Sequence, residues 1–168
     1  AIVTGVQTCA LPISDPQREC VCAPAQVQRY LSKLSGPLMD RIDLHVEVAP
    51  VSFDEMEGPR EGDRSAAVRS RVEQARRVQD DRYGERASVH CNAQMDSRLV
   101  ESHCTIDKSG RTLLKAAIER LGLSARAYTR ILKVARTIAD LDAEETIAAS
   151  HVSEAVQYRS LDRDWWHG

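Results

Sequence analysis

No stretch of this 168-residue sequence matches G-x-x-x-x-G-K-[ST], the loop whose backbone amides hold nucleotide phosphates. No apolar strand ending in paired acidic residues is present either, so the carboxylate that holds magnesium in such enzymes is missing. Neither a Ser/His/Asp nor a Cys/His arrangement occurs in local motif form. We therefore expect the chain to be unable to bind and hydrolyse ATP by itself.

Other features are also scarce. Aromatic residues make up only 4% of the chain, and no apolar run approaches the roughly 20 residues of a membrane span, so we expect no membrane partner. The net charge of −2 excludes an overall basic field, so any contact with nucleic acid must be local. The cysteines are odd in number and irregularly spaced, which argues against disulfides and favours a reducing cytoplasm. They are Cys9, Cys20, Cys22, Cys91 and Cys104.

The clearest feature that is present is a helix predicted over Leu123–Leu141. Ser124 is suited to cap it, because a serine hydroxyl accepts a hydrogen bond from an amide of the first turn. Apolar residues recur behind this cap at spacings of three and four, which predicts one buried face. These residues are Ala127, Tyr128, Ile131, Val134, Ala135, Ile138 and Leu141.

Three cations, Arg126, Arg130 and Lys133, fall on the opposite face of this helix. No acidic residue occurs between Ala125 and Ala139, so the three cations have no partner one turn away on the same helix. This pattern predicts an anion supplied from outside the helix. Arg126 is the best placed to bind it, because the first turn of a helix already favours negative charge.

The residues Leu121–Tyr128 (LGLSARAY) and Ile131–Leu141 (ILKVARTIADL) closely resemble the C-terminal lid of the magnesium-chelatase-like AAA+ ATPases of the ComM/YifB type. The resemblance implies a hexameric ring of identical subunits that uses ATP and Mg²⁺ and processes DNA, for example by branch migration in natural transformation. It places Arg126 at the position of the nucleotide-binding sensor-2 arginine. The chain would then be a C-terminal fragment, and the ATP-binding core would lie outside it.

The first residues are unusual in composition. Val3–Ile13 (VTGVQTCALPI) resembles the translation of a common sequencing-library adapter. We therefore expect residues 1–13 to be non-native and genuine coding sequence to begin near Ser14. The alternative is a native apolar strand, although Gly5 and Pro12 would interrupt it.

Cys20 and Cys22 form a C-x-C pair, which is a weak metal signal because a four-ligand zinc site needs a second pair. In the family this segment resembles the second half of a paired cysteine motif. The resemblance thus implies half of a zinc site in the parent protein. For the chain itself we favour two structural cysteines, with no cofactor bound.

A strand is predicted from Ile42 to Val48, where apolar and polar residues alternate. The surrounding block, Ser35–Val48 (SGPLMDRIDLHVEV), resembles the last core strand of the same family. Arg41 takes the position of the arginine finger, the catalytic residue that reaches into the neighbouring subunit, where a guanidinium stabilises the charge of phosphoryl transfer. The alternative from spacing alone is that Arg41 pairs with Asp40 or Asp43.

These patterns and the resemblance predict a mainly α-helical fold, a lid bundle with a remnant strand of an α/β core at its N-terminal side. The expected parts are the end of the AAA+ core over residues 14–49, a linker over residues 50–64 and the helical lid over residues 65–168. Pro50, Gly58, Pro59 and Gly62 mark the linker.

A second function remains open from the sequence, a DNA-binding module without ATPase activity. Leu114–Lys133 contains two helices joined by a glycine turn, as in a helix-turn-helix, with Arg126 and Arg130 placed to reach a groove. Any two packed helices joined at a glycine resemble this motif, and it leaves the block around Arg41 without a role. We therefore favour the lid of an ATPase.

Overall fold

A computed structural model describes residues 22–33, 36–46, 48, 51, 53–58, 62–84 and 88–159. The mainly α-helical class predicted from the sequence is confirmed. The helices are α1 (Pro24–Leu31), α2 (Gly36–Met39), α3 (Phe53–Glu57), α4 (Ser65–Tyr83), a short 3-10 helix (Asn92–Gln94), α5 (Ser97–His103), α6 (Lys108–Leu121), α7 (Ala125–Leu141) and α8 (Ala149–Gln157).

The chain divides into two compact units. One comprises Ala1–Met39 with Val46–Arg60, and its described helices are α1, α2 and α3. The other comprises Asp40–His45 with Glu61–Gly168, and contains the helical bundle. The six residues 40–45 thus belong to the bundle, although their neighbours on both sides do not. The adapter segment, residues 1–13, lies outside the described residues, and its interpretation stays a prediction.

Helix α7 is the centre of the bundle. It contacts α4, the 3-10 helix, α5 and α8, and α6 packs against α8. The core contains small and branched side chains, and α7 contributes the largest share. Its members on this helix are Ile131, Leu132, Ala135, Ile138 and Ala139. The predicted inward face of α7 is confirmed at Ala127, Ile131, Ala135 and Ile138, but Tyr128 and Leu141 are exposed, and Leu132 and Ala139 are buried although the period had not placed them inward.

The helix ends follow the capping residues. The Ser124 side chain accepts a hydrogen bond from the Ala127 amide at 3.2 Å, and Asp96 and Asp107 cap α5 and α6 in the same way. Gly122 ends α6 with φ of 63°, a left-handed conformation that glycine adopts without strain.

Helix α4 is buried against the bundle mainly through its C-terminal half. Its buried residues are Ala75, Gln79 and Tyr83. Val68 and Val72 in its first half are more exposed and line a shallow groove together with Ile138 and Leu141 of α7. Among the described residues, the ion pair found on its exposed half joins Arg71 Nη2 to Asp63 Oδ2 at 2.7 Å.

The predicted strand is where the structure departs from the sequence pattern. Residues 42–46 form no strand, and the described residues contain only an isolated bridge between Ile106 and Ile147. The alternation had predicted extended backbone for a core sheet whose other strands lie outside the predicted lid, and none of the described residues pairs with it as a strand. Instead, the His45 amide donates to the Tyr158 carbonyl at 2.9 Å, and Leu44 and Val46 remain exposed.

Candidate functional site

The N-terminal end of α7 has the properties expected of an anion-binding site. Ser124 satisfies one amide of the first turn, and Arg126 lies within that turn with its side chain exposed. Arg126 makes no hydrogen bond or ion pair with any residue that the structure describes. A positive side chain and the positive end of the helix dipole therefore meet at one exposed place.

The orientation of Arg126 follows from the opposite face of α7. Ala127, Ile131 and Ala135 are almost completely buried, so the helix cannot rotate about its axis without losing core contacts. Arg126 is adjacent to Ala127, and it is directed to solvent because Ala127 is directed into the core. The burial pattern, rather than any contact of Arg126 itself, holds this arginine at the bundle surface.

The other two cations of α7 have partners from elsewhere in the chain. Arg130 forms an ion pair with Asp43, and Lys133 Nζ donates to the Ala93 carbonyl at 2.9 Å. Burial, together with the charge of Arg130, holds the pKa of Lys133 below its usual value. Arg130 therefore meets an anion from outside the helix, as predicted, although this anion belongs to the same chain. For Lys133 the prediction is wrong, because its partner is a neutral backbone carbonyl.

Arg41 is exposed, and its flanking acids are bonded to α7. Asp40 Oδ1 accepts a hydrogen bond from Ser124 Oγ at 3.2 Å, and Asp43 pairs with Arg130. The segment thus brings Arg41 to the end of α7 that carries Arg126, a neighbourhood that the sequence reasoning did not foresee. The catalytic role of Arg41 and the nucleotide-binding role of Arg126 stay predictions.

A buried charge cluster of Arg82, Asn92, Arg136 and Asp140 joins α4, the 3-10 helix and α7. Arg82 Nη1 and Nη2 donate to the two carboxylate oxygens of Asp140 at 2.8 and 2.5 Å. Asn92 Nδ2 and Arg136 Nε donate to the same carboxylate at 2.7 and 3.0 Å. The Asp140 side chain has no exposed surface.

The electrostatics of the cluster favour its charged form. Burial by itself raises the pKa of Asp140, but hydrogen bonds from Arg82 and Asn92 and the nearby arginine charges outweigh it and hold that pKa below its usual value. The hydrogen bond to Asp140 raises the pKa of Arg82 in turn. The sequence signal that was missed is the spacing of Arg136 and Asp140, four residues apart on one face of α7.

Arg136 also binds the backbone of the turn that joins α7 to α8. Its Nη1 and Nη2 atoms donate to the carbonyls of Glu145 and Glu144 at 2.7 and 2.5 Å. The side chain is almost fully buried, so each of its donors needs such an acceptor. The side chain of Arg136 thus binds Asp140 in the cluster and also donates to two backbone carbonyls of the turn.

The structure shows no further ligand for the half zinc site that the resemblance implies at Cys20 and Cys22. Cys20 lies outside the described residues, and Cys22 is half-buried. Among the residues that the structure places, no three or more His, Cys, Asp or Glu side chains are grouped to hold a metal.

The reactivity of the Cys104 thiol tests whether this residue is buried in the core. Burial raises the pKa of its thiol to about 11, so only about one molecule in 10³ carries the reactive thiolate at pH 8. We expect iodoacetamide at pH 8 to modify Cys104 about 100-fold more slowly than the half-buried Cys91, whose reactivity serves as the internal reference. Peptide mass spectrometry over time measures both rates. Equal rates in the folded chain would contradict the burial of Cys104.

A cavity of about 280 Å³ lies beside α7, between residues 43–44, the 3-10 helix and α8. Its lining is mostly apolar, and Lys133 and Glu154 are the charged side chains at its edge besides Asp43. The cavity therefore lacks the clustered cations that a phosphate group would need. None of the described helices has the length and apolar composition required to cross a membrane.

Two protein families match parts of this chain. Residues 62–159 match the family described as magnesium chelatase, subunit ChlI C-terminal. Residues 1–56 match the family described as magnesium chelatase, subunit ChlI, and this range includes the residues interpreted above as adapter-derived.

The sequence is also similar to longer curated proteins. It is 43% identical over 143 residues to competence protein ComM of Haemophilus influenzae, covering 84% of this chain and 27% of that protein. It is 41% identical over 145 residues to the uncharacterized protein YifB of Escherichia coli, with the same coverage. The uncharacterized protein Mb2921c of Mycobacterium bovis is 32% identical over 158 residues, 94% of this chain and 31% of that protein. The chain thus spans about a quarter to a third of the relatives it matches.

Proposed function

Because this chain belongs to the magnesium chelatase ChlI C-terminal family, in its ComM/YifB branch, we propose that it supplies the lid and two arginines of a ring-forming AAA+ ATPase. ATP and Mg²⁺ bind, on this proposal, to a core outside the residues of this chain. Identical subunits form the ring, and each nucleotide lies between two neighbouring subunits.

The observation that carries the proposal is the exposed, capped first turn of α7. Arg126 has no partner there among the described residues, and the core holds the helix behind it in place. Closure of the bundle over a bound nucleotide brings this guanidinium to the γ-phosphate, and hydrolysis removes its partner. Arg126 thereby couples the chemistry of ATP to the position of the lid.

Arg41 has the second role in this proposal. A guanidinium supplied to a neighbouring subunit's nucleotide stabilises the charge that develops as the γ-phosphoryl group leaves. The exposure of Arg41 supports this role.

We extend the proposal to DNA processing, such as branch migration in natural transformation, which the family resemblance implies; the Haemophilus relative is a competence protein. The exposed half of α4, with Arg69, Arg71 and Arg76, is one surface on which a local phosphate contact would be tested. The helix-turn-helix alternative is less well supported, because Arg130 is paired with Asp43 and only Arg126 is left to read a groove.

The test uses a chimaera in which residues 22–159 replace the matched stretch of the Haemophilus influenzae protein. A non-hydrolysable ATP analogue at about 100 times its Kd should stabilise the chimaera by about 2.7 kcal/mol. We expect Arg126→Ala to leave the melting temperature without nucleotide unchanged and to reduce this stabilisation, by about 1.4 kcal/mol for each tenfold loss of affinity.

The matched control is Arg111→Ala, which removes an exposed arginine from α6. We expect it to change neither melting temperature. If Arg126→Ala lowers the melting temperature equally with and without nucleotide, the arginine is a structural staple and the sensor role is wrong. A chimaera that neither binds nor hydrolyses ATP would overturn the proposed function.

A further inference from the structure

Residues 40–45, here called the docked segment, are held on the bundle by four contacts of different kinds. Ser124 donates to Asp40, and Arg130 pairs with Asp43. Two contacts use the backbone of the segment: the Arg159 guanidinium donates to the Ile42 carbonyl, and the His45 amide donates to the Tyr158 carbonyl. The segment carries Arg41 between its first two anchors.

The anchors differ in strength. Arg159 is almost fully buried, so its hydrogen bond to the Ile42 carbonyl is protected from water. The Arg130 and Asp43 side chains are 27% and 44% exposed, so their attraction is partly screened. Because the Arg130–Asp43 pair is accessible and lies two residues from Arg41, it can be altered without opening the core.

All four anchors converge on α7 and on the end of α8. Two of them, Ser124 and Arg130, flank Arg126 on α7, at distances of two and four residues along the chain. A movement of α7 that follows Arg126 therefore displaces the docked segment, and Arg41 with it. The connection from Arg126 to Arg41 is therefore short, because it runs only through the neighbouring residues of α7 and the docked segment.

We propose that Asp43 and Arg130 are positioning residues, whose ion pair makes Arg41 move with the lid. This inference rests on the proposed function, in which Arg126 senses the subunit's own nucleotide and Arg41 acts on the neighbour's. The state of one nucleotide site is then passed to the next site around the ring through the docked segment. Neither Asp43 nor Arg130 touches nucleotide in this scheme.

The test is a charge swap in the chimaera. Asp43→Arg and Arg130→Asp should each lower kcat for ATP hydrolysis about tenfold, since a displaced catalytic group loses much of its effect, while KM for ATP changes less than about twofold. The double variant restores the pair with its charges exchanged, and we expect its kcat to return to within about threefold of the starting chimaera. Recovery in the double variant would show that the ion pair itself, and not either side chain alone, carries the effect, and melting temperatures that do not follow kcat would separate positioning from a loss of stability.

The control reverses one charge of an exposed pair elsewhere. Lys115→Glu removes the ion pair with Glu119 on α6, where Nζ and Oε1 are 3.8 Å apart, and should leave kcat unchanged. Melting temperatures establish that each variant is folded at the assay temperature, and Arg130→Lys, which keeps the charge, should retain most of the turnover. Single variants with full turnover, or a double variant as slow as the singles, would overturn the inference.

The two proposals fail in different ways. If Arg41→Ala leaves turnover intact, the finger role in the proposed function is wrong, whatever the ion pair does. If Arg41→Ala is slow but Asp43→Arg and Arg130→Asp are not, only the positioning inference is wrong.

Discussion

We expect the Arg41→Ala variant of the chimaera to hydrolyse ATP about 10³-fold more slowly than the starting chimaera, with its affinity for ATP unchanged. The reason is that an arginine finger interacts with charge that develops only in the transition state, so its loss affects turnover rather than binding. Steady-state phosphate release measures the turnover, and fluorescence titration with a labelled ATP analogue measures the affinity.

Mixing experiments test whether Arg41 acts between subunits. Arg41→Ala subunits keep their own ATP-binding site, and subunits with a disabled ATP-binding core keep Arg41. A mixed ring should therefore recover part of the activity that either variant lacks by itself. If Arg41→Ala weakens ATP binding and spares turnover, or if mixing recovers nothing, the finger assignment is wrong.

The second large effect is expected for Asp140→Ala in the present chain, which we expect to be destabilised by about 3–5 kcal/mol. The substitution leaves the buried Arg136 and the partly buried Arg82 without the carboxylate that both of them bind. Urea unfolding followed by circular dichroism measures the difference. Glu101→Ala, at an exposed position on α5, is the matched control, and should change the free energy of unfolding by less than about 0.5 kcal/mol.

The contribution of Asp140 should also depend on pH in a definite direction. Its pKa is lowered in the folded chain, so its charged form stabilises the fold above the ordinary aspartate pKa of about 4, and this stabilisation is lost as the pH falls through the lower folded value. The stability difference between the wild-type chain and Asp140→Asn should be constant above about pH 5 and shrink below about pH 4. A difference that grows on acidification would contradict the charged state of Asp140.

Most of the bundle follows from local sequence rules. The period of α7 gives the centre of its buried face, although not Tyr128 and Leu141, which are exposed. Ser124 gives the start of α7 and Gly122 gives the end of α6, because each depends on residues within a few positions along the chain.

The candidate site was predictable only in part. Arg126 could be placed at the exposed start of α7, because its position depends on the cap and the period alone. The partners of Arg130 and Lys133 could not, since Asp43 and Ala93 lie 87 and 40 positions away and carry no pattern that points to α7. Ile42–Val48 was predicted as a strand because alternation identifies extended backbone, but alternation does not supply a neighbouring strand, and the described residues 42–46 form none.

The sequence by itself determined the helical class of this protein, the centre of the buried face of α7 and the exposed, capped position of Arg126, since all three rest on interactions within a few residues. Only the tertiary structure decided that Asp140 gathers Arg82, Asn92 and Arg136 in the core, and that residues 40–45 dock beside Arg126. The physical reason is that buried charges and docked segments are stabilised by partners distant in sequence, whose approach depends on how the whole chain packs.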